Sequence, residues 1–191
     1  NRFIAPKNLW FMHCDAQPKL KMWEDDSEWT LFQGGHTGYQ RLNPPVEVVR
    51  TLVLNKTMHA IGWEDVLMPS ALHSMRVPLQ LALCVRLDQR GGNWMRLVVD
   101  EEPFVMEWSP EENWKVDIEE GAVAPSYGIL RPSVRLVWVR VHGSSSSLRI
   151  CLYPGDLPNP TLRQTLFRKI EAASHKNFAI LQSHFKVTQD T

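Results

Sequence analysis

Residues 78–100, PLQLALCVRLDQRGGNWMRLVVD, decide how the rest of the chain is read. Leu79, Leu81, Leu83, Val85 and Leu87 alternate with Gln80, Ala82, Cys84 and Arg86. A period of two sends successive side chains to opposite faces, so this run predicts a strand with one side in a core. On that reading Leu83 is buried, whereas Gln80 and Arg86 face away. The polar run at 88–93 then breaks the pattern with Gly91 and Gly92, which accept backbone conformations closed to other residues. Residues 94–99, WMRLVV, resume it, and together the two runs predict a β-hairpin with a long loop.

Working outward, residues 46–54 (VEVVRTLVL) read as a strand dense in β-branched side chains. Further strands are expected near 104–108, 114–118, 133–141 and 148–153, the last two joined by a serine-rich tip at 143–147. Residues 69–75 suggest one helical turn. Ser109-Pro110-Glu111-Glu112 resembles a capping box that opens a turn or two of helix. Asn159-Pro160 is a helix start, and Leu162, Leu166, Ile170 and Ala173 recur at helical spacing, which predicts an amphipathic helix near 160–174. Residues 178–187 fit a final strand or a continuing helix.

The fold class that follows is mainly β (or α+β): an antiparallel β-sandwich, jelly-roll-like assembly or open barrel with one C-terminal amphipathic helix. Residues 1–45 read as an irregular, aromatic-rich segment that wraps the body or a neighbour, in which 28–32 fit a short strand and 34–38, GGHTG, a loop. Residues 46–191 read as a single β-rich domain. The loop at 34–38 lacks the glycine spacing and trailing Lys-Ser/Thr of a phosphate cradle.

Composition narrows the function classes. At 191 residues, with 43% hydrophobic and 22% charged residues, the chain has the material for one sizeable core. No apolar run approaches the roughly 18 residues that span a bilayer. No signal peptide is visible, and an intracellular reducing compartment or the inside of a particle is expected. Cys14, Cys84 and Cys151 are too few and too far apart for a disulfide framework or a zinc site, and are expected to be buried free thiols. The seven histidines show no metal-ligand spacing, and no serine or cysteine sits in a nucleophile elbow. No catalytic residue, metal site or cofactor is therefore assigned.

Net charge is zero, but its distribution is bipolar. Residues 100–120 hold nine acidic side chains against Lys115, whereas 131–176 hold eight basic ones against Asp156 and Glu171. The acidic candidates for a contact face are Glu101, Glu102, Glu111, Glu112, Glu119 and Glu120, and the basic ones are Arg149, Arg163, Arg168 and Lys169. Trp23, Trp29 and Trp114 lie among charges and are the aromatic contact candidates out of eight tryptophans. Complementary charges on one chain suit head-to-tail contacts. The first expectation is accordingly a non-enzymatic structural protein that self-assembles or docks into a larger particle, such as a coat or matrix-like virion subunit. Its partners are then a second copy or other protein subunits, with RNA or an anionic membrane admitted by the basic face. The alternatives are a monomeric β-domain that binds carbohydrate or peptide on a tryptophan-lined face, and an enzyme of unrecognised family.

Overall fold

The computed structural model describes residues 4–5, 8–12, 16–69, 73–110, 113–143 and 146–187. In chain order its strands are β1 (Ile4–Ala5), β2 (Asn8–Met12), β3 (Pro18–Asp25), β4 (Trp29–His36), β5 (Val46–Asn55), β6 (Ala60–Pro69) and β7 (His73–Gln80). They continue as β8 (Val85–Arg90), β9 (Trp94–Val99), β10 (Glu102–Trp108), β11 (Lys115–Ser126), β12 (Ile129–Gly143) and β13 (Ser146–Pro154), and helix α1 (Pro160–Val187) closes the chain. Apart from the small β1–β2 ladder, the strands form two sheets, ordered β3-β4-β5-β6-β13-β10-β9-β8 and β11-β12-β7. Every pairing is antiparallel. The large sheet is open, with β3 and β8 at its edges, so the architecture is β-sandwich-like with one C-terminal helix, not a closed barrel.

Alternation along β10 and β13 sets the layers. Met106, Trp108, Leu148 and Ile150 point to one side, where they meet Met75, Val116, Leu136 and Trp138 of the small sheet. Val105, Cys151 and Tyr153 point to the other, where they meet Leu162, Leu166, Ile170 and Ala173 of α1. A strand buried on both faces carries apolar residues at both phases, as these two do. The helix therefore packs on the large sheet, opposite the small one. Asn159 caps it as expected, its Oδ1 accepting from the Leu162 amide at 3.1 Å.

Several sequence expectations are corrected. The alternating run at 79–87 is not one strand: β7 ends at Gln80, the chain turns at 81–84, and β8 joins the other sheet. The Leu81 amide bonds the Val134 carbonyl and the Val85 amide bonds that of Ala82, which holds the turn. Leu81 is buried but Leu83 is 50% exposed. The hairpin of 85–99 stands, but its loop is short: β8 runs on to Arg90 and residues 91–93 join it to β9. Cys84 lies exposed on the same turn, so the expectation of buried thiols holds for Cys151 alone among the described cysteine side chains.

Residues 18–36 are not irregular but form β3 and β4 of the large sheet. Gly34 and Gly35 belong to β4, not to a loop. A Cβ on Gly35 would lie 2.6 Å from the Val48 carbonyl oxygen, so the bare backbone is what allows β5 to approach. Residues 73–75, read as a helical turn, begin β7. α1 continues to Val187, which resolves the choice between helix and strand at 178–187. Residues 111 and 112 of the capping box, like 70–72 and the tip at 144–145, lie outside the described residues.

Leu166, fully buried under α1, and Leu83, on the turn, should separate cleanly by mutation. Leu166→Ala is expected to destabilise by roughly 2–5 kcal/mol and Leu83→Ala by less than about 1 kcal/mol, read from urea midpoints.

Candidate functional site

The two covers of the large sheet are offset. The small sheet lies over the β6-to-β8 side, while α1 lies over strands from β4 to β10. The surface of β3–β6 on the small-sheet side is thus left open beside the edge strand β7. It forms a groove of about 760 Å³, within the size range of small-ligand sites. Leu20, Phe32, Val48 and Leu67 contribute an apolar wall, and Met75 and Val77 face them from β7. Trp23, 61% exposed, stands opposite Phe32 in register, with the two rings edge-on at 6.4 Å.

Polar groups are set into this wall at few points. Arg50 on β5 lies directly opposite Asp65 on β6. Its Nε and Nη2 donate to the two Asp65 carboxylate oxygens, each at 2.6 Å. That hydrogen-bonded pairing raises the pKa of the Arg50 guanidinium further, so Arg50 stays charged at any working pH. Lys19 adds a second cation to the lining, and Arg76 borders it by its backbone while its guanidinium reaches across the small sheet to Glu119. At one end His73 shares a 3.2 Å hydrogen bond with the Pro44 carbonyl, which ties β7 to the loop after β4. In the same region His36 packs against Tyr39 with ring centroids 5.2 Å apart, and its Nδ1 accepts from the Gly38 amide at 3.0 Å. No group of three or more His, Cys, Asp or Glu side chains capable of holding a metal is present among the described residues.

The residues singled out by sequence do not converge here. Arg163 turns inward, its Nη1 donating to buried Glu107 at 2.8 Å, while the Tyr153 hydroxyl donates to the other oxygen of that carboxylate. Arg149 donates to Glu64 at 2.7 Å and Glu171 at 2.6 Å. Glu119 is held between Arg76 and Arg135, the latter at 3.2 Å. Among the described residues the acidic and basic segments thus meet inside one molecule, as in Glu107–Arg163 and Glu119–Arg135.

Glu101 and Glu102 sit at the exposed β9–β10 turn, and Glu120 is exposed on β11. Glu111 and Glu112 lie outside the described residues. Arg168 is exposed, and Lys169 places its ammonium 5.0 Å from the Trp29 ring centre. Trp29 and Trp114 are buried, and of the three tryptophan candidates Trp23 alone is exposed.

Sequence reasoning missed the groove. Its one legible signal is a charge in the middle of each of two apolar strands, Arg50 in VEVVRTLVL and Asp65 in IGWEDVLM. Only the register shows that they pair.

No family model matches the chain, and no curated protein matches it. Solved structures do. The chain resembles the heparan sulfate lyase HepC from Pedobacter heparinus with a TM-score of 0.64 and 14% identity over 75% of its length. It resembles two heparinase III structures with TM-scores of 0.61 and 0.58, at 12% and 11% identity over 78% and 72% of its length. In each case it spans only about a fifth of the other protein, 22%, 22% and 21% respectively. At such identity the likeness is one of fold. No described helix is long and apolar enough to cross a membrane.

The buried thiol gives a pH test. Burial, aided by the nearby Glu107 charge, pushes Cys151 from 9.0 up to about 12. A raised folded-state pKa contributes stability that is intact below the unfolded value and is lost as pH climbs past it. The denaturation midpoint should therefore fall as pH rises above 9, and fall less steeply in Cys151→Ala. In a Cys14→Ser background a thiol reagent at neutral pH should modify Cys84 at once and Cys151 only as the protein unfolds.

Proposed function

We propose that this chain is a β-sandwich module that binds an anionic polysaccharide in the groove between β3–β6 and β7. The observation that carries the reading is the lining itself: an apolar wall with Phe32 and Tyr39, set with the cations Lys19 and Arg50. Aromatic rings stack on the apolar faces of sugars, and fixed cations receive their acidic substituents. The fold likeness to lyases of heparan sulfate, an acidic polysaccharide, supports the same class of ligand.

A second reading, self-association, is favoured by the placement of the remaining charges. Exposed Asp117 on β11, of opposite phase to core-facing Val116, and exposed Arg168 on α1 lie in opposite outer layers, an arrangement suited to head-to-tail stacking.

Affinity electrophoresis in gels containing heparan sulfate or neutral dextran tests the first reading, and light scattering across salt concentrations the second. Retardation by heparan sulfate alone is expected, weakening with added salt because screening acts over about 10 Å at 0.1 M. Lys19→Gln should reduce it. A monomer is expected at every salt concentration, unaltered by Arg168→Glu with Lys169→Glu. No retardation in either gel sinks the binding reading, and salt-sensitive association that these reversals abolish would put self-assembly in its place.

A further inference from the structure

The Arg50–Asp65 pair identifies how the groove would read its ligand; this inference rests on the binding reading above. Asp65 is almost completely buried, its side chain 4% exposed, while Arg50 is 49% exposed and lines the groove. The pair is set among apolar neighbours of the same strand face, Val48 and Leu52 on β5 and Trp63 and Leu67 on β6. Buried ion pairs contribute little net stability over a well-packed apolar pair, so the fold alone gives no reason for one here.

The hydrogen-bond geometry gives another reason. A guanidinium carries five N–H groups in a rigid planar fork. Asp65 engages Nε and one proton of Nη2, which is the side edge of the plane. The end edge, formed by Nη1 and the second proton of Nη2, is left over. Among the described residues nothing bonds to Nη1. An arginine bound along its side edge cannot swing, and its end edge still matches two oxygens of an anion.

We propose that Arg50 anchors an anionic group with two available oxygens, a uronate carboxylate or a sulfate ester, and that Asp65 is the positioning residue that holds the guanidinium in place. Lys19, on β3, supplies charge to the same groove without a fixed geometry. Neutral saccharide units are left to the aromatic wall.

The test compares Arg50→Lys, Asp65→Asn and the apolar pair Arg50→Met/Asp65→Leu with the unmodified protein. Binding is titrated through tryptophan fluorescence against hyaluronan oligosaccharides (carboxylate only), dextran sulfate (sulfate only) and neutral dextran, with thermal melting as the check on folding. Arg50→Lys keeps the charge but loses the fork, and should weaken binding of the preferred acidic probe by about ten- to a hundredfold. Asp65→Asn is the sharper discriminator. It removes a negative charge from beside the groove, so attraction by net charge alone predicts tighter binding of acidic probes. The positioning role predicts weaker binding. The apolar pair should melt as the unmodified protein does and lose acidic binding, which keeps the test open if Asp65→Asn fails to fold. Equal or tighter binding by Asp65→Asn, or an unchanged Arg50→Lys, overturns this inference and leaves the groove as a binding site. Failure of the unmodified protein to bind any probe overturns both. The carboxylate and sulfate probes tell which acid group is read.

Discussion

The neighbouring strands β10 and β13 are committed on both faces, and the rest of the molecule is arranged around that commitment. In register they place Met106 beside Leu152 and Trp108 beside Ile150 toward the small sheet, and Val105 beside Tyr153 and Glu107 beside Cys151 toward the helix. Each side then needs its own cover, since apolar surface left in water forfeits roughly 25 cal/mol per Å². A three-stranded sheet and one helix are narrower than an eight-stranded sheet, and they sit over different parts of it. The groove is the portion of the large sheet that neither covers. Its existence follows from unequal layer widths.

Polar groups inside the molecule divide into two kinds. Under α1, Glu107 is closed off by Tyr153 and Arg163, and Asn159 donates its backbone amide to the same Tyr153 hydroxyl at 2.7 Å. Nearby, Glu64 accepts from Ser147, Arg149 and Ser174, and Gln33 donates to Thr51. These networks join the helix to the sheet and satisfy the buried carboxylates, as burial demands. Arg50 differs. It is bound by Asp65 along one edge only and turns toward open space. A groove with such a side chain at its floor has a donor fixed in direction before any ligand arrives, which reduces the ordering needed on binding.

How much of this was legible follows from what periodicity can record. β-Branched density along 46–54, apolar runs at 94–99 and 104–108 and alternation along 148–153 identified strands, and the spacing of Leu162, Leu166, Ile170 and Ala173 identified the helix and its buried stripe, because these signals are local. Asn159 was readable as a cap for the same reason. The run at 79–87 shows the limit. Its alternation continues unbroken through a turn that moves the chain from one sheet to the other, although Leu83 on that turn is neither buried nor paired. Gly34-Gly35 was misread because a close backbone approach and a loop call for the same residue.

Charge was less legible still. A count along the chain separates an acidic segment from a basic one, but the fold pairs Glu107 with Arg163 and Glu119 with Arg135, partners 56 and 16 positions apart. The groove draws on β3, β4, β5, β6 and β7 together, and no stretch of sequence contains it. By itself, then, the sequence determined the strands at 46–54, 94–99, 104–108 and 148–153, the helix, its cap and its buried stripe, because those depend on neighbours a few positions away. Which sheet each strand entered, which charges were neutralised and where a surface stayed open were decided by tertiary structure, because each depends on register between strands distant along the chain.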